Sequence, residues 1–152
     1  MGGLCTRLLP ECVLLDPPQQ DKERVIRQLV DQLAISHSIT DPDTLFEQVM
    51  EREKLSSTCI GFGCAVPHAR SDAAQATVIA AARLNPPVLM EAPDGEAVSL
   101  VFLMAGPEKS AALHLRLLSK LARLLHSDSL RQQLREAATA EEFHQIICSR
   151  DT

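Results

Sequence analysis

Aromatic side chains are scarce in this chain of 152 residues, which contains no Trp, no Tyr and only four Phe. Aromatic rings supply the platforms on which proteins stack unpaired bases and the flat apolar surfaces that contact sugar rings. Blocks of basic residues are also missing, and the net charge is −5. Because phosphate backbones are bound by clustered Lys and Arg, this composition argues against a nucleic-acid partner.

Paired cysteine motifs are absent as well. The five cysteines are an odd number without a CxxC spacing, so the pattern favours neither a disulfide framework nor a zinc site. We therefore expect reduced thiols in a cytoplasmic protein, with no bound metal. No apolar run is long enough to cross a membrane, and no charged segment followed by an apolar one marks a signal peptide, so membrane insertion is not expected.

The phosphate-binding loops of nucleotide enzymes do not occur in the sequence. The segment Gly61-Phe62-Gly63 begins like GxGxxG, but Val66 stands where the third glycine belongs, and no GxxxxGK[ST] is present. There is no HExxH zinc motif and no GxSxG nucleophile elbow either. These absences disfavour an enzyme that binds ATP or a dinucleotide, and no cofactor is expected.

Apolar periodicity predicts helices in the first third and the last third of the chain. Asp41 and Pro42 form a helix start, since an N-cap residue is followed by proline at the first helical position. Helices are predicted over 21–35, 42–54, a Leu-rich segment after Pro107, 129–137 and 140–148. We expect residues 1–152 to form a single domain, with residues 1–11 flexible.

Unbroken apolar runs between these helices predict strands that are covered on both faces. The strands are expected over 12–15, 64–68, 77–84 and 98–105, with a loop over 56–63 and turns at Asn85-Pro86-Pro87 and Pro93-Asp94-Gly95. Strands covered on both faces require helices on both sides, so the expected fold is α+β, a three-layer α/β/α sandwich. Short connections predict a mixed parallel and antiparallel sheet of four to five strands.

A histidine is presented by the tetrapeptide Val66-Pro67-His68-Ala69. Pro67 fixes φ and donates no backbone hydrogen bond, which places this segment at the edge or end of a strand. The ordinary pKa of an imidazole lies close to neutral pH, so its uncharged, nucleophilic form is abundant. The local pattern leaves two alternatives, a reactive His68 or a strand-end histidine that only hydrogen-bonds the backbone.

The segment REKLSSTCIGFGCAVPHAR, residues 52–70, resembles the signature of the EIIA domains of the fructose–mannitol class. These domains belong to the bacterial phosphoenolpyruvate-dependent phosphotransferase system, and the nitrogen-regulatory EIIA proteins share the signature. The resemblance continues through 93–95, 98–103 and 114–122, and it covers about 13–147. It implies that His68 is the phosphorylated histidine and that Arg52 and His114 belong to the same site.

The resemblance also implies the partners. The phosphoryl group would come from the phosphocarrier protein HPr or a nitrogen-branch equivalent. It would then pass to a cysteine of an EIIB domain in sugar uptake, or serve as a signal to a regulatory target protein. No EIIB or membrane EIIC segment accompanies this sequence, which favours the regulatory form. A third alternative is a non-catalytic interaction module of the same fold, as in the cytoplasmic domains of anion-exchange proteins.

The residue types suit phosphoryl transfer, in which catalysis consists mainly of positioning and charge stabilisation. Arg52 can form a forked contact to phosphate oxygens, and His114 can donate a hydrogen bond to them. Each also has a structural alternative, because Arg52 can pair with a carboxylate on an exposed helix face and His114 can be a helix-cap or core-edge residue. Weaker phosphate-binding candidates are the hydroxyls or amides of Ser57, Thr58, Gly61 and Gly63.

Overall fold

The computed structural model describes residues 3–18, 21–36 and 39–151, in which five consecutive strands lie between groups of helices. In chain order these elements are α1 (Leu4–Arg7), β1 (Leu8–Leu15), α2 (Lys22–Ser36), α3 (Pro42–Leu55), β2 (Cys59–Gly61), β3 (Cys64–Ala65), β4 (His68–Arg70), β5 (Val78–Val88), β6 (Val98–Gly106), α4 (Ala111–Leu125), α5 (Asp128–Glu136) and α6 (Ala140–Arg150). A short 3₁₀ turn at Glu108–Ser110 precedes α4. None of the helices within these residues is long and apolar enough to cross a membrane.

The strands form one mixed sheet in the order β1-β5-β6-β3-β2, and β4 pairs with the far end of β6. The β5–β6 and β2–β3 pairs are antiparallel, whereas β1–β5, β3–β6 and β4–β6 are parallel. The mixed sheet is therefore confirmed, but it has six strands rather than four to five. The difference comes from β2 and β4, which are three residues long and too short for periodicity to reveal.

Two separate apolar clusters lie on the two faces of the sheet. On one face, Val25 of α2 and Val49 of α3 pack in the same cluster as Leu103 of β6. On the other, Leu121 of α4 packs in the same cluster as Phe102 of β6. From Leu100 to Ala105, successive residues of β6 alternate between the two clusters because strand side chains point to opposite faces. This arrangement confirms the three-layer α/β/α sandwich.

Four of the described helices begin at side-chain caps, including α2, where the carboxylate of Asp21 accepts a hydrogen bond from the amide of Arg24 at 2.9 Å. The carboxylate of Asp41 accepts a hydrogen bond from the amide of Thr44 at 3.1 Å, and Pro42 follows it as the sequence predicts. Ser127 and Thr139 cap α5 and α6 in the same manner. These caps explain why the observed helix starts lie within one residue of the predicted ones.

The start of the described chain corrects two expectations. The segment 1–11 was expected to be flexible, but Leu4 and Leu8 are each only 1% exposed, and β1 begins at Leu8 rather than Cys12. In addition, Cys5 and Cys148 form a disulfide whose Cα atoms are 4.8 Å apart, so the expectation of five reduced thiols is wrong. Local spacing gave no sign of this pair, because the two cysteines are separated by 143 positions in the sequence.

The segment Asn85-Pro86-Pro87 does not form the predicted turn between two strands. Strand β5 continues through it to Val88, and the register against β6 shifts between Arg83 and Val88. The peptide bond between Asn85 and Pro86 is cis. Proline signals a turn from sequence, but it is also tolerated at irregular positions of a strand where no ladder hydrogen bond is needed.

Candidate functional site

His68 opens β4, directly after the proline that interrupts the predicted strand over 64–68. Pro67 separates β3 from β4, yet both strands pair with β6, and the Pro67 carbonyl accepts a hydrogen bond from the amide of Met104 at 3.0 Å. Pro67 has no amide hydrogen to donate, but its carbonyl still bonds to β6, so the chain continues alongside β6 through the proline. As a result, the half-buried His68 stands beside Met104 near the carboxyl end of β6.

The imidazole of His68 is held in one tautomer. Its Nδ1 lies 2.8 Å from the carbonyl oxygen of Val66. A carbonyl oxygen can only accept, so Nδ1 must donate the hydrogen, and the neutral ring keeps its lone pair on Nε2. This contact gives His68 an oriented ring with one defined nucleophilic atom.

An open cleft of about 610 Å³ joins His68 to the other residues that the sequence predicts for the site. Its walls include Arg52 from α3 and His114 from α4, together with Arg70. A second, smaller cleft of about 350 Å³ is also lined by His68 and Arg52, and its wall includes Ser57 and Thr58. His68 and Arg52 therefore line both depressions of this surface.

His114 is the most buried histidine of the site, with only 5% of its surface exposed. Its ring centroid is 5.4 Å from that of His68, and the two planes are inclined by 58°. Within the described residues, neither ring nitrogen of His114 has a hydrogen-bond partner. Gly106 packs next to this ring, and a Cβ there would lie 3.5 Å from Nδ1 of His114 but only 2.7 Å from the Thr77 hydroxyl.

Both histidines are biased toward the uncharged form. Burial lowers the pKa of His68, and the nearby Arg52 lowers it further, against the opposing effect of the hydrogen bond to Val66. Burial lowers the pKa of His114 to about 4, with smaller contributions from His68 and Arg70. At neutral pH the site thus holds one nucleophilic imidazole and a second, neutral imidazole that keeps one N–H to donate.

The buried His114 should make stability depend on pH. In the unfolded chain the imidazole of His114 has an ordinary pKa near 6.5 and is protonated as the pH falls below that value. In the folded chain the same imidazole stays neutral until about pH 4. Stability is then lost as the pH falls through this window, by up to about 3 kcal/mol for a shift of this size. We expect His114→Gln to flatten this part of the profile, as measured by urea unfolding between pH 7 and pH 4.

The exposed His126 provides the matched control for that measurement. His126→Gln should keep the wild-type slope, because it leaves the buried His114 in place. Equal slopes for wild type and His114→Gln would contradict the burial argument.

Arg52 lies in the last turn of α3 and is held by a neighbouring loop residue. Its Nη1 donates to the carbonyl oxygen of Ser56 at 3.2 Å and lies 3.4 Å from the hydroxyl of the same residue. Among the described residues, no carboxylate forms a salt bridge with Arg52. The guanidinium group therefore keeps donors for an anion that enters the cleft, and the alternative of a carboxylate pair on a helix face is not realised.

A buried carboxylate behind the site escaped the sequence analysis. Glu53 is 7% exposed, its Oε1 lies 2.6 Å from Nζ of Lys22, and its Oε2 accepts the hydroxyl of Thr58. The spacing Leu45, Val49, Glu53 is the signal that could have identified it, because residues four apart share one helix face. This network ties the loop after α3 to α2.

The two predicted hydroxyl donors are used by the loop itself. Thr58 donates to Glu53, while the Ser57 hydroxyl lies 3.3 Å from the Met90 carbonyl and accepts from the Cys59 amide at 3.2 Å. They line the smaller cleft, but in this structure they stabilise the segment between α3 and β2. Their part in binding phosphate stays a prediction.

Gly61 and Gly63 are not brought to His68. They flank Phe62 in the turn between β2 and β3, with φ of +91° and +74°, and neither lines the clefts beside His68. A Cβ at Gly63 would lie 2.9 Å from Nη2 of Arg135, which donates to the Phe62 carbonyl at 2.7 Å. The glycines are thus needed for the turn, and their placement gives no support to the predicted phosphate contact.

The other two histidines of the described residues, His126 and His144, do not line these clefts. His126 stacks edge-on against Phe62 at a centroid distance of 5.3 Å, and His144 contacts the disulfide region of α6. Both lie outside the segment 52–70 in the sequence, and His37 lies outside the described residues.

The comparisons with known proteins agree with this geometry. Residues 7–149 match the family model described as "Phosphoenolpyruvate-dependent sugar phosphotransferase system, EIIA 2". The nitrogen regulatory protein of Pseudomonas aeruginosa is 38% identical over 140 residues, which are 92% of this chain and 91% of the relative. The fructose-specific EIIA component of Haloferax volcanii is 30% identical over 137 residues, 90% of this chain and 89% of the relative.

A solved structure of a protein with similar sequence has the same fold. The crystal structure of the nitrogen regulatory protein IIA-Ntr from Neisseria meningitidis superposes with a TM-score of 0.87 and 33% identity, covering 94% of this chain and 97% of that one. The chain therefore belongs to the EIIA type 2 family of the phosphoenolpyruvate-dependent sugar phosphotransferase system. The resemblance seen in residues 52–70 is confirmed.

Proposed function

We propose that this chain carries a phosphoryl group on Nε2 of His68, received from HPr or from its nitrogen-branch equivalent. The observation that supports it is the 2.8 Å contact from Nδ1 to the Val66 carbonyl, in a cleft shared with Arg52 and His114. This contact leaves Nε2 as the nucleophile, and the open cleft suits transfer from one protein surface to another. The assignment of His68, Arg52 and His114 to these roles is the proposal that the experiments below test.

The transfer follows from the chemistry of the three side chains. The Nε2 lone pair forms the new bond to phosphorus as the bond between phosphorus and the donor's nitrogen breaks. The Nδ1 proton remains on His68, and its hydrogen bond to Val66 stabilises the positive charge that develops on the ring. Arg52 and a neutral His114 donate to the equatorial phosphoryl oxygens, where most of the transition-state charge resides.

The acceptor in the second transfer would be a group of the partner. The free cysteines of the described residues, Cys12, Cys59 and Cys64, are buried. Burial raises the pKa of all three thiols, that of Cys64 to about 11, so they are poor nucleophiles at neutral pH. The phosphoryl group on His68 would therefore pass to a cysteine of an EIIB domain, or stay on His68 as a signal read by a regulatory target protein.

Between these outcomes we propose the regulatory one. It is supported by the similarity to the nitrogen regulatory proteins of Pseudomonas aeruginosa and Neisseria meningitidis, at 38% and 33% identity. The fructose-specific relative at 30% identity supports the uptake alternative. A regulatory chain should keep its phosphoryl group when mixed with EIIB domains, whereas an uptake component should lose it to one of them.

The test is phosphorylation of the purified chain by phosphoenolpyruvate, Enzyme I and HPr. We expect a mass gain of one phosphoryl group that is labile in acid and stable in base, as phosphohistidine is. Phosphorylated chain is then offered a panel of EIIB domains, and retention of the group is measured by mass spectrometry. No incorporation from a donor system that labels a fructose-class EIIA control would overturn the carrier role and favour the non-catalytic interaction module.

A further inference from the structure

Three residues with metal-binding atoms meet at a place that the phosphoryl site does not use. His144 and Cys148 lie one turn apart on the same face of α6, and α1 brings Cys5 against them. The two cysteines are joined as a disulfide in this structure. We propose that the reduced form of this cluster, Cys5, His144 and Cys148, binds a thiophilic divalent cation, with Zn²⁺ as the ion whose ligand preference it matches.

The spacing of the ligand atoms supports the proposal. The ligand atoms of the three residues all lie within 4.8 Å of one another. Sγ of Cys148 lies 3.8 Å from Nδ1 and 3.5 Å from Nε2 of His144, and neighbouring ligand atoms of a tetrahedral zinc are about 3.5–3.8 Å apart, given the usual Zn–S and Zn–N bond lengths. The two bonded sulfur atoms have to separate to reach this spacing, which reduction of the disulfide allows.

A second, independent observation comes from the tautomer of His144. Its Nε2 lies 2.9 Å from the carbonyl oxygen of Cys5, so Nε2 carries the hydrogen and donates it. The lone pair of the neutral ring is then on Nδ1, which lies 3.8 Å from Sγ of Cys148, compared with 3.5 Å for Nε2. Metal-binding histidines are commonly oriented by such a hydrogen bond from the ring nitrogen that does not bind the metal. A disulfide by itself requires no imidazole in this orientation.

The position of Cys5 does not depend on the disulfide alone. Its backbone amide donates to Oδ2 of Asp151 at 2.8 Å, and Oδ1 of Asp151 lies 2.5 Å from Nζ of Lys120. These contacts hold α1 against the end of α6 and against α4, so a reduced Cys5 remains close to Cys148. The three protein ligands leave a fourth tetrahedral position for a water molecule or an external ligand.

The chemistry balances with a dithiol reductant. The disulfide takes up two electrons and two protons to give two thiols, while the reductant is oxidised to its own disulfide. Binding of Zn²⁺ then displaces the two thiol protons, and His144 contributes a lone pair without losing a proton. The disulfide form and the metal form are therefore mutually exclusive states of one site.

Cobalt(II) provides the probe, because tetrahedral thiolate coordination gives it characteristic visible and charge-transfer absorption. We expect the full-length chain, reduced and freed of reductant, to bind one equivalent of Co²⁺ with these bands and to exchange it for Zn²⁺. Cys148→Ser should abolish the charge-transfer bands, and His144→Ala should weaken binding by at least a factor of about 10. Cys12→Ala, which removes a buried thiol elsewhere, should bind like wild type.

The oxidised wild-type chain is the control that involves no substitution, and it should give no thiolate bands. The proposal is overturned if reduced wild type binds Co²⁺ no more tightly than Cys148→Ser, or if the oxidised chain binds it equally well. Phosphorylation by HPr is measured on the same samples. We propose that this reaction depends on His68 and not on the cluster, so a failure of phosphoryl labelling and a failure of Co²⁺ binding can be distinguished.

Discussion

Replacement of His68 by alanine is expected to abolish phosphoryl incorporation from HPr. The substitution removes Nε2, the nucleophile that the hydrogen bond from Nδ1 to the Val66 carbonyl defines. His114, the other imidazole of this cleft, should not replace it, because only 5% of its surface is exposed and its ring centroid lies 5.4 Å from that of His68. Intact-protein mass spectrometry in alkaline buffer, where phosphohistidine persists, measures the incorporation directly.

The exposed His126 supplies the matched control for this substitution. His126→Ala removes an imidazole outside both clefts beside His68 and should be labelled like wild type. Thermal unfolding of the two variants shows whether the fold is intact. Labelling of His68→Ala at the wild-type level would show that the phosphoryl group is attached to a different residue.

Replacement of Arg52 by glutamine should slow phosphoryl transfer by about 10²–10³-fold, the usual cost of removing one donor to a developing negative charge. Arg52→Lys should recover only part of the rate, since an ammonium group keeps the charge but loses the forked geometry. The effect on stability should be small, because the contacts of Arg52 are hydrogen bonds to the exposed Ser56. Rapid-quench measurement of labelling by HPr gives the rates.

Lys54 is the control on the same helix turn, with an exposed side chain that pairs with Glu51 at 3.4 Å. Lys54→Gln changes the net charge equally and should leave the transfer rate within a factor of about 2, because exposed pairs contribute little. If Arg52→Gln transfers as fast as Lys54→Gln, the role of Arg52 is limited to closing the end of α3 through Ser56.

The helices could be predicted from the sequence because local rules decide them. The N-cap Asp41, the proline that follows it and the Leu-rich stripe of α4 each act within one or two turns. The central strands β5 and β6 were also predicted, since long apolar runs indicate strands buried on both faces. Three-layer packing then follows from covering such a sheet on both sides.

The features of the fold that could not be predicted from the sequence depend on contacts between distant segments. The short strand β4 is defined by its pairing with the distant β6, and the bond between Cys5 and Cys148 becomes visible only after α1 and α6 are packed together. In the site, the resemblance named His68, Arg52 and His114, and the fold places them around one cleft. The glycines of the same motif instead form a turn beside Arg135, since a linear motif does not show which of its residues face the cleft.

The bond between Cys5 and Cys148 makes nearly the whole polypeptide a covalent ring. A protease that cuts one loop anywhere between these positions opens the ring but releases no fragment until a reductant is added. Before any cut, the unfolded chain is a closed loop rather than a linear coil, which reduces its conformational entropy. The two ends of the protein therefore move as one unit even when the sheet between them is unfolded.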